Sequence, residues 1–297
     1  MSGNWSLYII ILTVVNVLGC FWIIRWTAKK KTAEEAKQGD TTGHTWDGDL
    51  QEFNNPLPRW WLWLFYITIV FAGIYLALYP GLGNFAGKWG WDQKSQYNEE
   101  MAAADKKYGP LYAAYAEQPI EQLAKDKKAM ASGQRLFLNY CATCHGSDAG
   151  GAIGFPNLSD NDWLYGGSGD QIKTSILDGR VGAMPALGAG LTPERLDAIT
   201  AYVLKLSGRE ADAKQVEVGK AIYSELACFA CHGQDGKGNA TNGFPNLTDN
   251  VWLYGGSPGQ IKETLQKGRM GNMPAHRDFL GEQKAHLLAA YVYSLSN

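Results

Sequence analysis

Histidine is scarce in this chain, five in 297 residues, and the two long apolar runs of its first third contain none. A transition-metal centre built from several imidazoles inside those runs is therefore excluded, and the chain has no oxygen-reducing site of its own. An excess of charge is also missing: 27 basic residues face 29 acidic ones, a net charge of −2. That balance excludes nucleic acid as a partner and broad electrostatic steering as a mode of association. No basic residue precedes Tyr8 and no small-residue cleavage pattern follows the first apolar run, so that run does not read as a cleaved signal peptide. Cysteine is sparse as well: four of the five stand in two short runs, and Cys20 is left over as a small apolar side chain facing lipid or a partner helix.

The apolar runs themselves set the architecture. From Leu7 to Ile24 the chain is uncharged, about the length that spans a bilayer, with Trp5, Trp22 and Trp26 as an interfacial aromatic belt. A second span opens at Trp60, Trp61 and Trp63 and closes at Tyr79 before Pro80, Gly81 and Gly83. Residues 1–79 thus read as a membrane anchor with spans at about 7–26 and 60–79. The polar loop between them holds His44 and carries Arg25, Lys29, Lys30, Lys31 and Lys37, with Arg59 at its far end. The positive-inside rule puts that loop in the cytoplasm and both termini outside. Residues 80–128 read as an outer, periplasmic linker, irregular with one or two helical stretches and broken at Pro110 and Pro119.

The chemistry is concentrated in Cys141-Ala142-Thr143-Cys144-His145 and its near-copy Cys228-Phe229-Ala230-Cys231-His232. Cys-x-x-Cys-His is the attachment run of c-type haem. On a helical turn, positions i, i+3 and i+4 share a face, so two thioethers and a proximal imidazole reach one macrocycle. Each run leads into the same downstream block, Phe155–Ala186 and Phe244–Ala275, identical at 21 of 32 positions, which marks an internal duplication. Each block ends on Met-Pro, and Met opposite His is the arrangement of electron-transfer haems, so Met184 and Met273 are the candidate distal ligands. Two modules follow, 129–208 and 212–297, each running helix, Cys-x-x-Cys-His, loops, Met, terminal helix. The terminal helices are expected at Thr192–Leu206, with Pro193 at the first helical position, and from about Gly281 to Leu295. That is the order of a class I cytochrome c domain. The fold class expected is mainly α: two N-terminal transmembrane helices followed by two tandem class I cytochrome c domains. Because c-type haems are attached outside the cytoplasm, the chemistry and the charge rule agree on topology, with the haem domains on the periplasmic side of a bacterial inner membrane.

Simpler readings account for less. A Cys₄ zinc site or a pair of disulfides explains neither the trailing His nor the Met-Pro. Met101, Met130 and Met270 read as ordinary residues, Met270 as packing, since Val181 stands at its place in the first copy. His276 follows the second Met-Pro-Ala, where the first copy has Leu187, and reads as a minor competitor for ligation. His286 reads as a surface or interface residue on the terminal helix. Arg180 and Arg269 share a Gly-Arg position where an arginine pairs with a haem propionate or simply faces solvent. Which Met faces which His stays open: each copy can serve its own haem, or the copies can exchange.

The stretch His44–Ile69, HTWDGDLQEFNNPLPRWWLWLFYITI, followed by two tandem haem modules, resembles the dihaem c-type subunit III of cbb3-type cytochrome c oxidases over the whole chain. The resemblance implies two covalently bound c-type haems and a membrane subunit that takes electrons from a donor cytochrome c. It passes them to a monohaem cytochrome c subunit and on to the haem-copper catalytic subunit of aerobic respiration, where oxygen is reduced and protons are pumped. It carries over the thioether and axial roles onto Cys141, Cys144, His145, Met184, Cys228, Cys231, His232 and Met273. Many members of the family have a single span, so the first one here is a variation. Other classes the residues allow are a free-standing membrane-anchored dihaem shuttle and the cytochrome subunit of a quinoprotein dehydrogenase. A dihaem peroxidase fits less well, since it needs one displaceable axial site and both Met ligands are present.

Overall fold

The computed structural model describes residues 2–28, 41–53 and 58–297. Lys29, Lys30, Lys31 and Lys37, on which the orientation of the loop rests, lie outside the described residues. The chain is mainly helical and divides into two units, residues 1–106 and 107–297.

In the first unit, α1 (Gly3–Thr27) and α2 (Arg59–Leu78) are, among the described residues, the two helices long and apolar enough to cross a membrane, close to the spans read from hydropathy. Their apolar side chains stay uncovered by the rest of the chain, as expected of residues that face lipid. The helices touch through Phe21 and Tyr66, with ring centroids 6.0 Å apart. Near the start of α1, Ser6 is buried and its Oγ accepts from the Asn84 backbone N–H at 2.8 Å, which ties the chain after α2 back to α1. Part of the expected loop is a hairpin, β1 (Thr41–Trp46) with β2 (Leu50–Phe53). Asp47 and Gly48, both at positive φ, make the turn. Asp-Gly is a strong short-range hairpin signal that the loop reading passed over.

The second unit begins inside α3 (Gln93–Ala116), which runs straight through Pro110. Proline removes one helical N–H and crowds the preceding turn, but a helix of this length continues past that loss. The expected break occurs only at Pro119, the N-cap of the short α4 (Ile120–Leu123). Residues read as linker are in fact core: Tyr115, Ile120 and Leu123 are buried with Phe137.

The first copy supplies α5 (Lys127–Tyr140), α6 (Ala142–His145), α7 (Gly169–Asp178), β3 (Arg180–Met184) and α8 (Pro193–Leu206). The second supplies α9 (Ala213–Glu225), α10 (Phe229–His232), α11 (Pro258–Lys267), β4 (Arg269–Met273) and α12 (Arg277–Ser296). The starts are locally encoded. Asp126, Thr192 and Asp212 cap α5, α8 and α9 with side-chain oxygens, and Ser168–Gln171 and Ser257–Gln260 form capping boxes at α7 and α11. Gly281, at φ 69°, interrupts α12, so the long terminal helix begins where the Ala-Tyr-Val pattern placed it.

The packing does not follow the sequence repeat. The terminal helix of the first copy, α8, packs on α9 and α11 of the second; that of the second, α12, packs on α5 and α7 of the first and on α4 ahead of it. Modules 129–208 and 212–297 are therefore units of sequence, while the packed bodies exchange their C-terminal segments. At each crossing a glycine lets two helices close in: Gly133 of α5 meets Tyr291 and the Leu287 carbonyl of α12, and Gly219 of α9 meets the Ala198 carbonyl and Tyr202 of α8. Each crossing is flanked by a ring pair, Phe137–Tyr291 at 5.5 Å and Tyr202–Tyr223 at 5.3 Å. Strands β3 and β4 pair antiparallel between the copies, with Gly182 opposite Gly271 at the centre.

Candidate haem centres

Each Cys-x-x-Cys-His run forms a single helical turn ended by a glycine at positive φ, Gly146 or Gly233, which turns the chain away below the imidazole. His145 and His232 are buried, 7% and 8% exposed, a state that requires a partner for each ring. The partner is the same in both: His145 Nδ1 lies 2.9 Å from the Pro156 carbonyl and His232 Nδ1 lies 3.0 Å from the Pro245 carbonyl. A carbonyl only accepts, so Nδ1 carries the proton and Nε2 is the lone-pair nitrogen, oriented as an iron ligand needs. Burial lowers the pKa of both imidazoles despite that hydrogen bond, and the neighbouring His276 adds to the lowering at His145. Both rings are thereby kept neutral, the ligating form.

All four motif cysteines are free thiols. Cys144 and Cys231 are exposed while Cys141 and Cys228 point inward. Burial, reinforced by the adjacent Cys144, pushes the Cys141 thiol up to about 11, and burial also raises that of Cys228.

The β3–β4 ribbon carries both methionines. Its residues alternate between faces, with Arg180, Gly182 and Met184 inward on β3 and Arg269, Gly271 and Met273 inward on β4. Met273 packs into the apolar cluster of Phe137, Cys141, Ala142 and Trp163, around the first run; Met184 packs with Cys228, Phe229, Leu247 and Trp252, around the second. Each methionine thus packs in the apolar cluster that holds residues of the other copy's Cys-x-x-Cys-His run. Backbone contacts join the copies on either side of the ribbon. Gly179, at φ 70°, sits where a Cβ would stand 2.4 Å from the Met273 carbonyl, and Gly268, at φ 69°, where one would stand 2.5 Å from that of Met184. Met270, expected to pack, is instead 78% exposed on the outer ribbon face beside Val181 at 72%. Strand alternation, which the block comparison ignored, puts both outward.

The arginines after those glycines are held alike. Arg180 stacks over Tyr165 at 4.7 Å and its Nε donates to Ser175 Oγ at 2.9 Å; Arg269 stacks over Tyr254 at 4.8 Å and its Nε donates to Thr264 Oγ1 at 3.0 Å. Arg269 also reaches Glu263 at 3.5 Å. Pro156, Pro245, Tyr165, Tyr254, Trp163 and Trp252 were not singled out as functional from sequence, although all six lie within the repeated block. Arg209 lies outside it, and no signal marks it. His286 Nε2 lies 2.8 Å from the Gln118 carbonyl, a structural tie.

The residues fit a c-type haem at each run: free thiols, an imidazole with Nε2 available and a methionine in the same apolar cluster, with unmet buried donors at Trp252 Nε1 and Arg209 Nη2 near the second. Two family models match the chain. "N-terminal domain of cytochrome oxidase-cbb3, FixP" covers residues 38–86, and "Cytochrome C oxidase, cbb3-type, subunit III" covers 128–203 and 214–292. The chain belongs to the cbb3-type cytochrome c oxidase subunit III family. It is similar to the cbb3-type cytochrome c oxidase subunit CcoP of Rubrivivax gelatinosus, 48% identical over 99% of this chain and 96% of that one. It is also similar to subunit FixP of Azorhizobium caulinodans, 40% identical over 86% and 92% of the two chains. Subunit CcoP of Cereibacter sphaeroides is 36% identical over 90% and 98%. As a member of this family the chain is a membrane-associated haem c protein of the oxidase.

Proposed function

We propose that this subunit holds two covalent c-type haems in crossed axial pairs, His145 with Met273 and His232 with Met184, as the electron entry of the oxidase. The observation that carries the reading is the packing of each methionine around the other copy's attachment run. When bound, the haems supply one-electron exchange between ferric and ferrous iron. The chain does the rest. Cys141, Cys144, Cys228 and Cys231 fix the groups covalently, the Pro156 and Pro245 carbonyls orient the imidazoles, and the thioethers of Met184 and Met273 favour the ferrous state. With a side chain on each axial face, neither centre has room for substrate, and the pair acts as a relay. Electrons enter from a donor cytochrome c on the periplasmic side of the inner membrane. They leave to the monohaem cytochrome c subunit and then to the haem-copper subunit.

Crossed ligation is tested in holoprotein carrying one haem at a time. Met184→Leu combined with Cys141→Ala and Cys144→Ala is expected to abolish the Met-to-iron charge-transfer band. Combined instead with Cys228→Ala and Cys231→Ala, it is expected to leave that band intact. The reverse result assigns each methionine to its own copy. Purification from the native membrane in mild detergent tests the assembly: stoichiometric high-spin haem b and copper with oxygen uptake support it. The dihaem chain alone, or with a quinoprotein, overturns it.

A further inference from the structure

Among the described residues, the buried side-chain nitrogens and oxygens without a hydrogen-bond partner are Arg209 Nη2 and Trp252 Nε1. They belong to one cluster. The Arg209 guanidinium lies over the Trp252 ring, 5.0 Å from its centroid. Its orientation is fixed, because Nε donates to Ser207 Oγ at 2.9 Å and Nη1 donates to the Gly256 carbonyl. Trp252, like Met184 and Phe229, packs against the buried cluster that includes Cys228. Leaving a buried donor unmet is costly, and a cation and an indole N–H left open together ask for an anionic acceptor.

We infer that Arg209 and Trp252 form the seat of a propionate of the haem held at His232, and that this seat sets the potential of that centre apart from its twin's. The inference rests on the dihaem reading above. The two centres differ here: Trp163, the counterpart of Trp252, has no cation over its ring among the described residues. Arg209 comes from the stretch that joins the copies, outside the repeated block. A buried positive charge favours the less positive ferrous state, so Arg209 raises the potential. Arg209 acts on this centre through the propionate and is a positioning and tuning residue.

The test is redox titration and resonance Raman spectroscopy of the full-length holoprotein and its Arg209→Gln, Arg209→Lys, Trp252→Phe and Trp163→Phe variants. Haem content of the unaltered chain is measured first; a value other than two per chain defeats the dihaem reading rather than the seat. With two haems present, Arg209→Gln is expected to lower one midpoint and leave the other in place. At fixed ambient potential, the reduced-to-oxidised ratio of that centre falls about tenfold, the effect of a unit charge roughly 10 Å away at an effective dielectric constant near 20. Trp252→Phe is expected to shift the propionate bending band of the same centre, Trp163→Phe to leave that centre unmoved, and Arg209→Lys to retain most of the potential. Unchanged midpoints and an unchanged propionate band in Arg209→Gln and Trp252→Phe, or equal falls at both centres, overturn the proposal. If Arg209→Gln fails to load haem, Arg209→Lys and Trp252→Phe decide by the same two readouts.

Discussion

Around His145 the crossing helices are α5 and α12, and around His232 they are α9 and α8, so each unit is built from both copies of the repeat. The crossing points differ in kind. At Gly133 an added Cβ would stand 2.7 Å from the Cβ of Tyr291, a side chain with some freedom to shift. At Gly219 it would stand 2.1 Å from the Ala198 carbonyl oxygen, which is backbone inside a helix. Two copies of one sequence plan have thus produced two packed halves of unequal tolerance, and damage in one copy is expected to appear at the other copy's haem.

The largest effect is expected from shortening the chain. A version ended after Gly268 keeps α8, α9, α11 and Met184, the whole surround of His232, and loses β4 with Met273 and the α12 cover of His145. One Met-ligated haem should remain, on the peptide containing Cys228 and Cys231. Retention of the first centre and loss of the second, read by mass spectrometry of haem peptides, would show that each copy stands alone.

Next in size are the crossing glycines. Gly219→Ala is expected to cost about 3 kcal/mol and Gly133→Ala about 1 to 2 kcal/mol, the range for forcing a methyl into packed helices. Denaturant unfolding of the two holoproteins checks the order. An equal cost, or a larger one at Gly133, would mean that the carbonyl contact at Ala198 yields easily.

A smaller difference is expected from pH. Both imidazoles titrate below their ordinary value because they are buried, and His145 also has His276 beside it. The unfolded chain therefore takes up protons from about pH 6.5 downward that the folded chain refuses. The stabilisation is complete above that value and is lost as pH falls through the folded-state pKa. Circular dichroism of the haem-free chain at fixed denaturant should show stability falling on acidification. His276→Leu, which copies Leu187 of the first repeat, should weaken that fall at the His145 unit alone.

Much of this was legible in the residues. Cys-x-x-Cys-His and Met-Pro name their chemistry by side-chain type, the helix starts are written in Ser168, Thr192 and Ser257, and the spans in uninterrupted apolar runs. The exchange was not, for a physical reason: the apolar faces of α8 and α12, like the glycines of α5 and α9, are copies, so either terminal helix suits either partner by pattern. Pro110 misled because proline was taken to end a helix that continues beyond it, and Arg209 lies outside the repeat where no motif points to it.

The smallest effect concerns the charges along the exchanged seams. Arg277 pairs with Asp178 of α7 at 2.6 Å and with Glu282, while the other seam has Lys262 with Asp197 and Arg195 with Glu225. These side chains are exposed, and exposed pairs contribute little once solvent and salt screen them. Arg277→Ala should leave the melting temperature unresolved from the parent at physiological ionic strength, with at most a slight fall in dilute buffer. Ile176, Leu177 and Leu280, all buried together, hold that seam instead. A pronounced, salt-sensitive loss on removing Arg277 would show that charge, rather than apolar burial, decides which terminal helix α7 accepts.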